Sequence, residues 1–175
     1  RQRGTLVVLH QMGSHGPEYF KRYPKAYERF TPVCRSNALD KCDRQSIING
    51  YDNTLVYTDH VLASNIDWLK AHEAQWSPAL MYLSDHGESL GENNLYLHGL
   101  PYRFAPDVQK HIPWVLWLSP QFQQESGISL KCLARLRDEH VSQDNYFHTV
   151  LGLLGVRTKV YDPRRDMGVM CQGAG

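Results

Sequence analysis

An apolar run that ends in a cluster of polar residues is the feature that most constrains the fold of this 175-residue chain. Residues 79–83 are apolar and follow Pro78, which predicts a short buried strand. Residues 84–88, with the sequence Ser-Asp-His-Gly-Glu, follow at once. Ligands of open α/β sheets bind outside the carboxyl ends of the strands. The pattern therefore predicts an α/β fold with a polar site at this strand end.

Two further apolar runs are predicted to be strands. Residues 5–10 are mostly apolar and end at His10, and a Gly-Ser-His-Gly-Pro segment that contains His15 follows shortly afterwards. Residues 114–118 form the third run. Buried strands that alternate with helical segments predict a largely parallel sheet. Because three strands are few for such a sheet and the chain starts abruptly, we expect it to be a portion of a larger domain.

Two helices are predicted to flank this sheet. Apolar residues recur at every third or fourth position between residues 45 and 74, which predicts a long amphipathic helix. Its apolar stripe, which includes Leu55, is expected to face the sheet. Ser142 is typical of the N-cap of a second helix, and Gly155 is typical of the end of that helix.

Charge and hydropathy exclude several classes of function. The formal net charge is +1, with 19 basic and 18 acidic residues, so no strong positive field indicates a nucleic-acid partner. No apolar stretch approaches the ~20 residues that a membrane-spanning helix needs, and no signal-peptide pattern precedes the first run. The chain as given is therefore expected to be soluble.

The four cysteines form no Cys-x-x-Cys pair. Cys34 and Cys42 bracket a polar loop, and a disulfide between them would indicate an oxidising compartment. The alternative is two reduced surface thiols in a cytosolic protein. Cys132 and Cys171 are the second pair by elimination.

Histidines and carboxylates near the strand ends have the composition of a metal site. This donor set suits zinc, manganese or iron, and its carboxylates would also accept magnesium or calcium. A metal held in this way can polarise a phosphoryl or sulfuryl oxygen and stabilise an alkoxide nucleophile. The residues of this candidate site are His10 or His15, Asp85, His86, Glu88 and His98.

Each of these residues also has an interpretation without a metal. Asp85 and His86 could belong to a turn with a capping carboxylate. Glu88 could be a solvated loop acid, and His98, between Leu97 and Gly99, could be a core histidine. No serine near these residues has the Gly-x-Ser-x-Gly pattern of a nucleophile elbow, so residue chemistry alone predicts a fragment of a metal-dependent hydrolase or transferase.

The same segments closely resemble bacterial lipid A phosphoethanolamine transferases, a group that includes the transferable colistin-resistance enzymes. The resemblance covers nearly the entire chain, and its central match of seventeen residues, 84–93 and 96–102, is highly specific. The segments that carry it are residues 84–93 and 96–102, residues 6–10 and 13–17, and the shorter stretches 22–24, 30–32, 51–55 and 142–145.

The resemblance implies an alkaline phosphatase and sulfatase-like α/β fold at the periplasmic face of the inner membrane, behind an N-terminal membrane domain. It implies one or two zinc ions, with Asp85 and His86 as ligands. His15 and His98 would be catalytic and, with Glu88, would contact the phosphoethanolamine or lie beside a second zinc. The implied reaction moves phosphoethanolamine from phosphatidylethanolamine to a lipid A phosphate, which confers polymyxin resistance. The spacing of Cys34 and Cys42 resembles a family disulfide.

One departure from the family pattern limits this expectation. The nucleophilic threonine and a glutamate metal ligand of the family precede the first segment that matches, so no position here corresponds to them. Residues 1–175 are therefore expected to be the C-terminal portion of a monomeric protein's catalytic domain, inactive by itself. The alternatives are another sulfatase-superfamily hydrolase, a phosphoglycerol transferase, or a non-catalytic zinc-binding remnant.

Overall fold

The computed structural model of the chain describes residues 4–173. They form two compact units, which are described separately below. The site unit comprises His10–Ala71 and Leu80–Trp117. The second unit comprises residues 4–9, His72–Ala79 and residues 118–173.

A 28-residue helix, α1 (Arg44–Ala71), is the longest element of the site unit. The prediction of a helix at residues 45–74 is therefore confirmed, with its end three residues earlier. The predicted stripe is wrong in part, because Leu55 is exposed. Burial falls instead near the start of α1, on Ile47 and on small or polar residues, which are Ser46, Asn49, Gly50, Asn53 and Thr54.

Small side chains let α1 approach the loops that precede it. An alanine β-carbon at Gly50 would lie 3.3 Å from Val33 and 3.5 Å from Tyr19, so the backbone of α1 is already in close contact there. The core around this contact is formed by the buried residues Tyr19, Cys34, Leu39 and Ile47. Leu90, Tyr96 and Leu97 pack against it.

The strands form two small sheets. Strand β1 (Ala79–Leu83) pairs with β4 (Trp114–Leu118), and β2 (Ser89–Leu90) pairs antiparallel with β3 (Tyr96–Leu97). The Ser84 N–H, just after β1, donates to the carbonyl of Pro113, just before β4 (3.3 Å). The end of β1 thus lies beside the start of β4, so this pair is also antiparallel.

The expected strand at residues 5–10 is wrong, and no parallel pair occurs among residues 4–173. Residues 6–9 are 58–77% exposed and have no regular structure. A β-branched composition favours a strand only where a neighbouring strand and a buried face are available. The other two predicted strands, at residues 79–83 and 114–118, are confirmed as β1 and β4.

Four short helices form most of the second unit: α3 (Pro120–Ser126), α4 (Leu130–Leu136), α5 (Gln143–Leu153) and α6 (Met167–Met170). Helix α2 (Asp107–Lys110) belongs to the site unit. The predicted N-cap is confirmed, because Ser142 and Asn145 form a reciprocal capping box at the start of α5. Gly155 lies just beyond α5 with φ +63°, the left-handed conformation expected at a helix end.

Both predicted disulfides are present. Cys34–Cys42 closes the polar loop of the site unit, and Cys132–Cys171 joins α4 to the residue after α6. Cys171 is completely buried and Cys34 almost so. The second disulfide spans 39 residues and the first only eight.

Replacing Gly152 with alanine is expected to destabilise the second unit. Buried Asp166 caps α6 by accepting hydrogen bonds from the Gly168 N–H (2.8 Å) and the Val169 N–H (3.2 Å), and its other oxygen accepts from the Tyr161 hydroxyl (2.6 Å). A β-carbon at position 152 would overlap a carboxylate oxygen of Asp166. We expect urea unfolding to show a loss of about 1–3 kcal/mol, the usual cost of overpacking.

A double variant is the control for this prediction. In Asp166→Ala the cap is lost but the overlap is also removed. Gly152→Ala in that background should be neutral or stabilising, because alanine favours a helix by about 1 kcal/mol over glycine. Equal stability of Gly152→Ala and the parent would contradict the predicted overlap.

Candidate metal centre

Three histidines from distant parts of the sequence meet in the site unit. His15, His86 and His98 each offer a ligand atom, and these atoms all lie within 4.8 Å of one another. The rings of His86 and His98 stack with centroids 3.7 Å apart, and His15 meets the His98 ring edge-on at 4.9 Å. Three convergent imidazoles form a common donor set for a transition metal in a protein.

Each of the three rings has its Nδ1 atom hydrogen-bonded to an oxygen. Carbonyl and carboxylate oxygens accept hydrogen bonds, so each Nδ1 carries the proton. The Nε2 lone pair of each ring is then available as a ligand, which is the usual arrangement in metal-binding histidines. The three bonds are His15 Nδ1 to the Gly16 carbonyl (2.7 Å), His86 Nδ1 to the Gly87 carbonyl (3.0 Å) and His98 Nδ1 to Glu88 Oε1 (3.3 Å).

Asp85 lies at the edge of this histidine group. Its Oδ2 atom is 3.8 Å from Nε2 of His86, so the two neighbouring residues present an oxygen and a nitrogen to the same region. Its other oxygen accepts a hydrogen bond from the backbone N–H of His86 (3.1 Å). The Asp85 side chain is 87% exposed, so its oxygens are accessible to a ligand. One carboxylate and imidazole nitrogens together fit zinc well.

Glu88 differs from Asp85 because it is buried. Only 7% of the residue is exposed, and both carboxylate oxygens have partners. Oε1 accepts from the Gly16 N–H (2.9 Å) and faces Nδ1 of His98, and Oε2 accepts from the hydroxyl of Tyr19. The carboxylate is thus surrounded by protein donors.

The loop that contains Asp85 and His86 is fastened at both ends. The Ser84 hydroxyl donates to the His86 carbonyl (2.7 Å), and the Gly87 N–H donates to the Gln109 carbonyl (3.0 Å). Gln109 is buried, and its side-chain amide donates to the Ser89 hydroxyl (2.8 Å). Helix α2 and strand β2 therefore hold the loop between them.

The loop that contains His15 is fastened to α1 and to a basic side chain. Ser14 Oγ lies 2.6 Å from Oγ1 of buried Thr54 in α1, within hydrogen-bonding distance. Arg22 Nε donates to the His15 carbonyl (2.8 Å). Gly13 has φ +49°, which allows the tight turn before Ser14.

The structure places the residues predicted from sequence in different positions. His15, His86 and His98 come together with Asp85 beside them, whereas exposed His10 is outside the group. Glu88 is a buried partner of the histidine segments. Sequence reasoning missed Tyr19, Thr54 and Gln109, because no local periodicity connects them to a site 20–70 residues away.

A comparison with protein families identifies the family of this chain. The family model described as Sulfatase matches residues 1–156. The chain belongs to the sulfatase family. The expected sulfatase-like α/β fold is thereby confirmed.

Individual relatives of this sulfatase-family chain are phosphoethanolamine transferases. The chain is 48% identical to phosphoethanolamine transferase EptA of Escherichia coli K12 over 172 residues, which are 98% of this chain and 31% of that protein. It is 58% identical to phosphatidylethanolamine transferase Mcr-2 of Escherichia coli over 115 residues, 66% of this chain and 21% of that protein.

Solved structures agree with these sequence matches. The soluble domain of lipooligosaccharide phosphoethanolamine transferase A from Neisseria meningitidis matches with a TM-score of 0.89 at 43% identity. The match covers 94% of this chain and 49% of that domain. The integral membrane form of that enzyme gives the same TM-score, with 31% of its chain covered.

The sulfatase-family chain thus spans about a third of the length of the curated EptA relative. Among residues 4–173, no helix is long and apolar enough to cross a membrane.

Proposed function

We propose that this chain supplies part of the active site of an enzyme that transfers phosphoethanolamine from phosphatidylethanolamine to a lipid A phosphate. The observation that carries the proposal is the group of three histidines whose Nε2 atoms are left available, within a chain 48% identical to EptA. We also propose zinc as the cofactor, one or two ions, because imidazole with carboxylate is a preferred zinc donor set.

The residues have distinct proposed roles. Asp85 and His86 hold the zinc through neighbouring oxygen and nitrogen atoms. Zinc, when bound, polarises a phosphoryl oxygen and stabilises an alkoxide nucleophile. His15 and His98 face the phosphoethanolamine group or a second zinc ion, where an Nε2 atom can ligate zinc, bind a phosphoryl oxygen or exchange a proton with it.

The complete activity belongs to a longer polypeptide in this proposal. Residues 1–175 would form the C-terminal portion of a monomeric catalytic domain, with the nucleophilic threonine in a preceding segment. The location would be the periplasmic face of the inner membrane, through a membrane domain outside this chain. Two intrachain disulfides support an oxidising compartment of this kind. Modified lipid A would then confer polymyxin resistance.

A chimera tests the proposed transfer. In Escherichia coli EptA, the 172 aligned residues would be replaced by this chain, and lipid A from producing cells would be examined by mass spectrometry. We expect lipid A that carries phosphoethanolamine, because the solved relative superimposes with a TM-score of 0.89. The same chimera with His86→Ala should lose the modification. Unmodified lipid A from a folded, zinc-loaded chimera would contradict the proposal.

The 175-residue chain by itself should show no transfer from a fluorescent phosphatidylethanolamine. The expected reason is that a nucleophile must form the covalent intermediate that divides the reaction into two steps. Turnover by the purified chain would show that the nucleophile lies within residues 1–175.

A further inference from the structure

We propose that Glu88 and Tyr19 form a buried clamp that positions His98 and the His15 loop, and that Glu88 does not contact the substrate. In this form the inference deepens the proposed function and rests on it for the role of the histidines. The clamp itself is defined by contacts within the site unit. It joins residues 69 positions apart in the sequence.

Both oxygens of the Glu88 carboxylate already have protein partners. Oε1 lies 2.9 Å from the Gly16 nitrogen and 3.3 Å from Nδ1 of His98. Oε2 accepts from the Tyr19 hydroxyl. Both residues of the clamp are buried, since Tyr19 is 2% exposed and Glu88 is 7% exposed. Because the carboxylate is buried, a substrate amine or hydroxyl could reach it only if this packing opened.

The clamp also determines which nitrogen of His98 carries the proton. A carboxylate beside Nδ1 accepts a hydrogen bond from the Nδ1–H group, so the lone pair stays on Nε2 of a ring that packs against His15 and His86. Carboxylate–histidine pairs of this kind fix the tautomer and the orientation of an imidazole at a metal site. Glu88 thus acts on the site through His98.

The residues around the clamp are also closely packed. Gly16 lies against the clamp, and an alanine β-carbon there would overlap Leu97 Cδ2 and lie 2.8 Å from the Tyr19 hydroxyl oxygen and 2.9 Å from Glu88 Oε2. Leu97, which precedes His98, has φ +63°, a left-handed conformation that is strained for a leucine. Close packing at Gly16 and strain at Leu97 indicate that the neighbouring residues hold the backbone beside His15 and His98 in place.

The phenol of Tyr19 is protonated, as a donor to Glu88 must be. Burial of the phenol, and then its hydrogen bond to Glu88, raise the pKa of Tyr19 above its ordinary value. Tyr19 therefore remains a neutral donor, and Glu88 is the acceptor of the pair.

Glutamine and alanine at position 88 separate positioning from a charge-dependent role. A glutamine can accept from Gly16 and His98 with its oxygen and donate to Tyr19 with its amide, so the clamp persists without the charge. Alanine removes all three contacts. We expect zinc affinity of the purified chain, measured by chelator competition, to stay within about threefold in Glu88→Gln. In Glu88→Ala it should fall about 10–100-fold, as for other partners of metal-bound histidines.

Nitrogen-15 NMR of the histidine rings of the metal-free chain provides a second measurement. His98 should be the Nδ1–H tautomer in the parent and in Glu88→Gln, and a mixture of tautomers in Glu88→Ala. Tyr19→Phe keeps the carboxylate but removes one anchor, so its loss of affinity should be smaller than that of Glu88→Ala. Glu92→Gln, in the same loop, is the matched control and should leave zinc affinity unchanged.

Two results would overturn the clamp. Equal losses in Glu88→Gln and Glu88→Ala would show that the charge itself is needed, and unchanged zinc affinity in Glu88→Ala would show that the contacts do not matter. If Glu88→Ala does not fold, an unchanged tautomer and zinc affinity in Glu88→Gln still support the clamp, and a loss there refutes it. Because these measurements need no phosphoethanolamine transfer, an inactive chimera with the expected tautomer would refute only the proposed function.

Discussion

Replacing His86 with alanine is expected to lower the zinc affinity of the chain by about 100-fold. Four-ligand zinc sites bind with about 10–16 kcal/mol, or roughly 3 kcal/mol per ligand, and 1.4 kcal/mol corresponds to a factor of ten. His86 is central to the group because it stacks on His98 and lies beside Asp85. Isothermal titration with zinc, at a pH where the histidines are neutral, measures the change.

His111→Ala is the matched control, since His111 is an exposed histidine of the same unit outside the group. It should leave the affinity unchanged. Asp85→Ala should also weaken binding, because it removes the carboxylate oxygen 3.8 Å from Nε2 of His86. Unchanged zinc stoichiometry and affinity in both Asp85→Ala and His86→Ala would remove the proposed ligand assignment.

Removing the disulfide between Cys132 and Cys171 is expected to cost about 4 kcal/mol of unfolding free energy. A cross-link that closes a longer loop restricts the unfolded chain more, and this one spans 39 residues. The eight-residue separation of Cys34 and Cys42 corresponds to about 2.5 kcal/mol by the same relation. Double replacements by serine, compared in urea, measure both values.

Which disulfide contributes more to the unfolding free energy is more informative than either value alone. A larger loss for Cys34→Ser with Cys42→Ser than for the other pair would contradict the loop-length argument. That result would indicate that the core around buried Cys34 and Tyr19 depends on the shorter disulfide. Zinc affinity, measured on each folded variant, shows whether either disulfide also affects the histidine group.

Features encoded in nearby residues were predictable from the sequence. The periodicity of α1, the Ser142 cap of α5 and the two cysteine pairs each depend on residue spacing within one segment or on simple elimination. All three histidines of the candidate metal group were also among the predicted residues, because glycine-rich loops after apolar runs are typical positions for ligands.

Features that depend on distant partners were not predictable. Residues 5–10 have a strand composition, but no strand pairs with them among residues 4–173. The spacing of Glu88 was compatible with an open loop, and only its contacts with Gly16 and Tyr19 show a buried carboxylate. The face of α1 that is buried contains Asn53 and Gly50 because close approach, not apolar area, determines that contact.

The contact between Gly87 and α2 has a consequence for motion at the site. An alanine β-carbon at position 87 would overlap the backbone carbonyl of Val108, and the Gly87 N–H already donates to Gln109. Neither partner can slide past the other, since packed interiors deform little. Any closure around a ligand would therefore carry His86 and α2 together as one rigid body, with the hinge outside both. Slow, matched hydrogen exchange of the Gly87 amide and of the α2 amides would reveal that common movement.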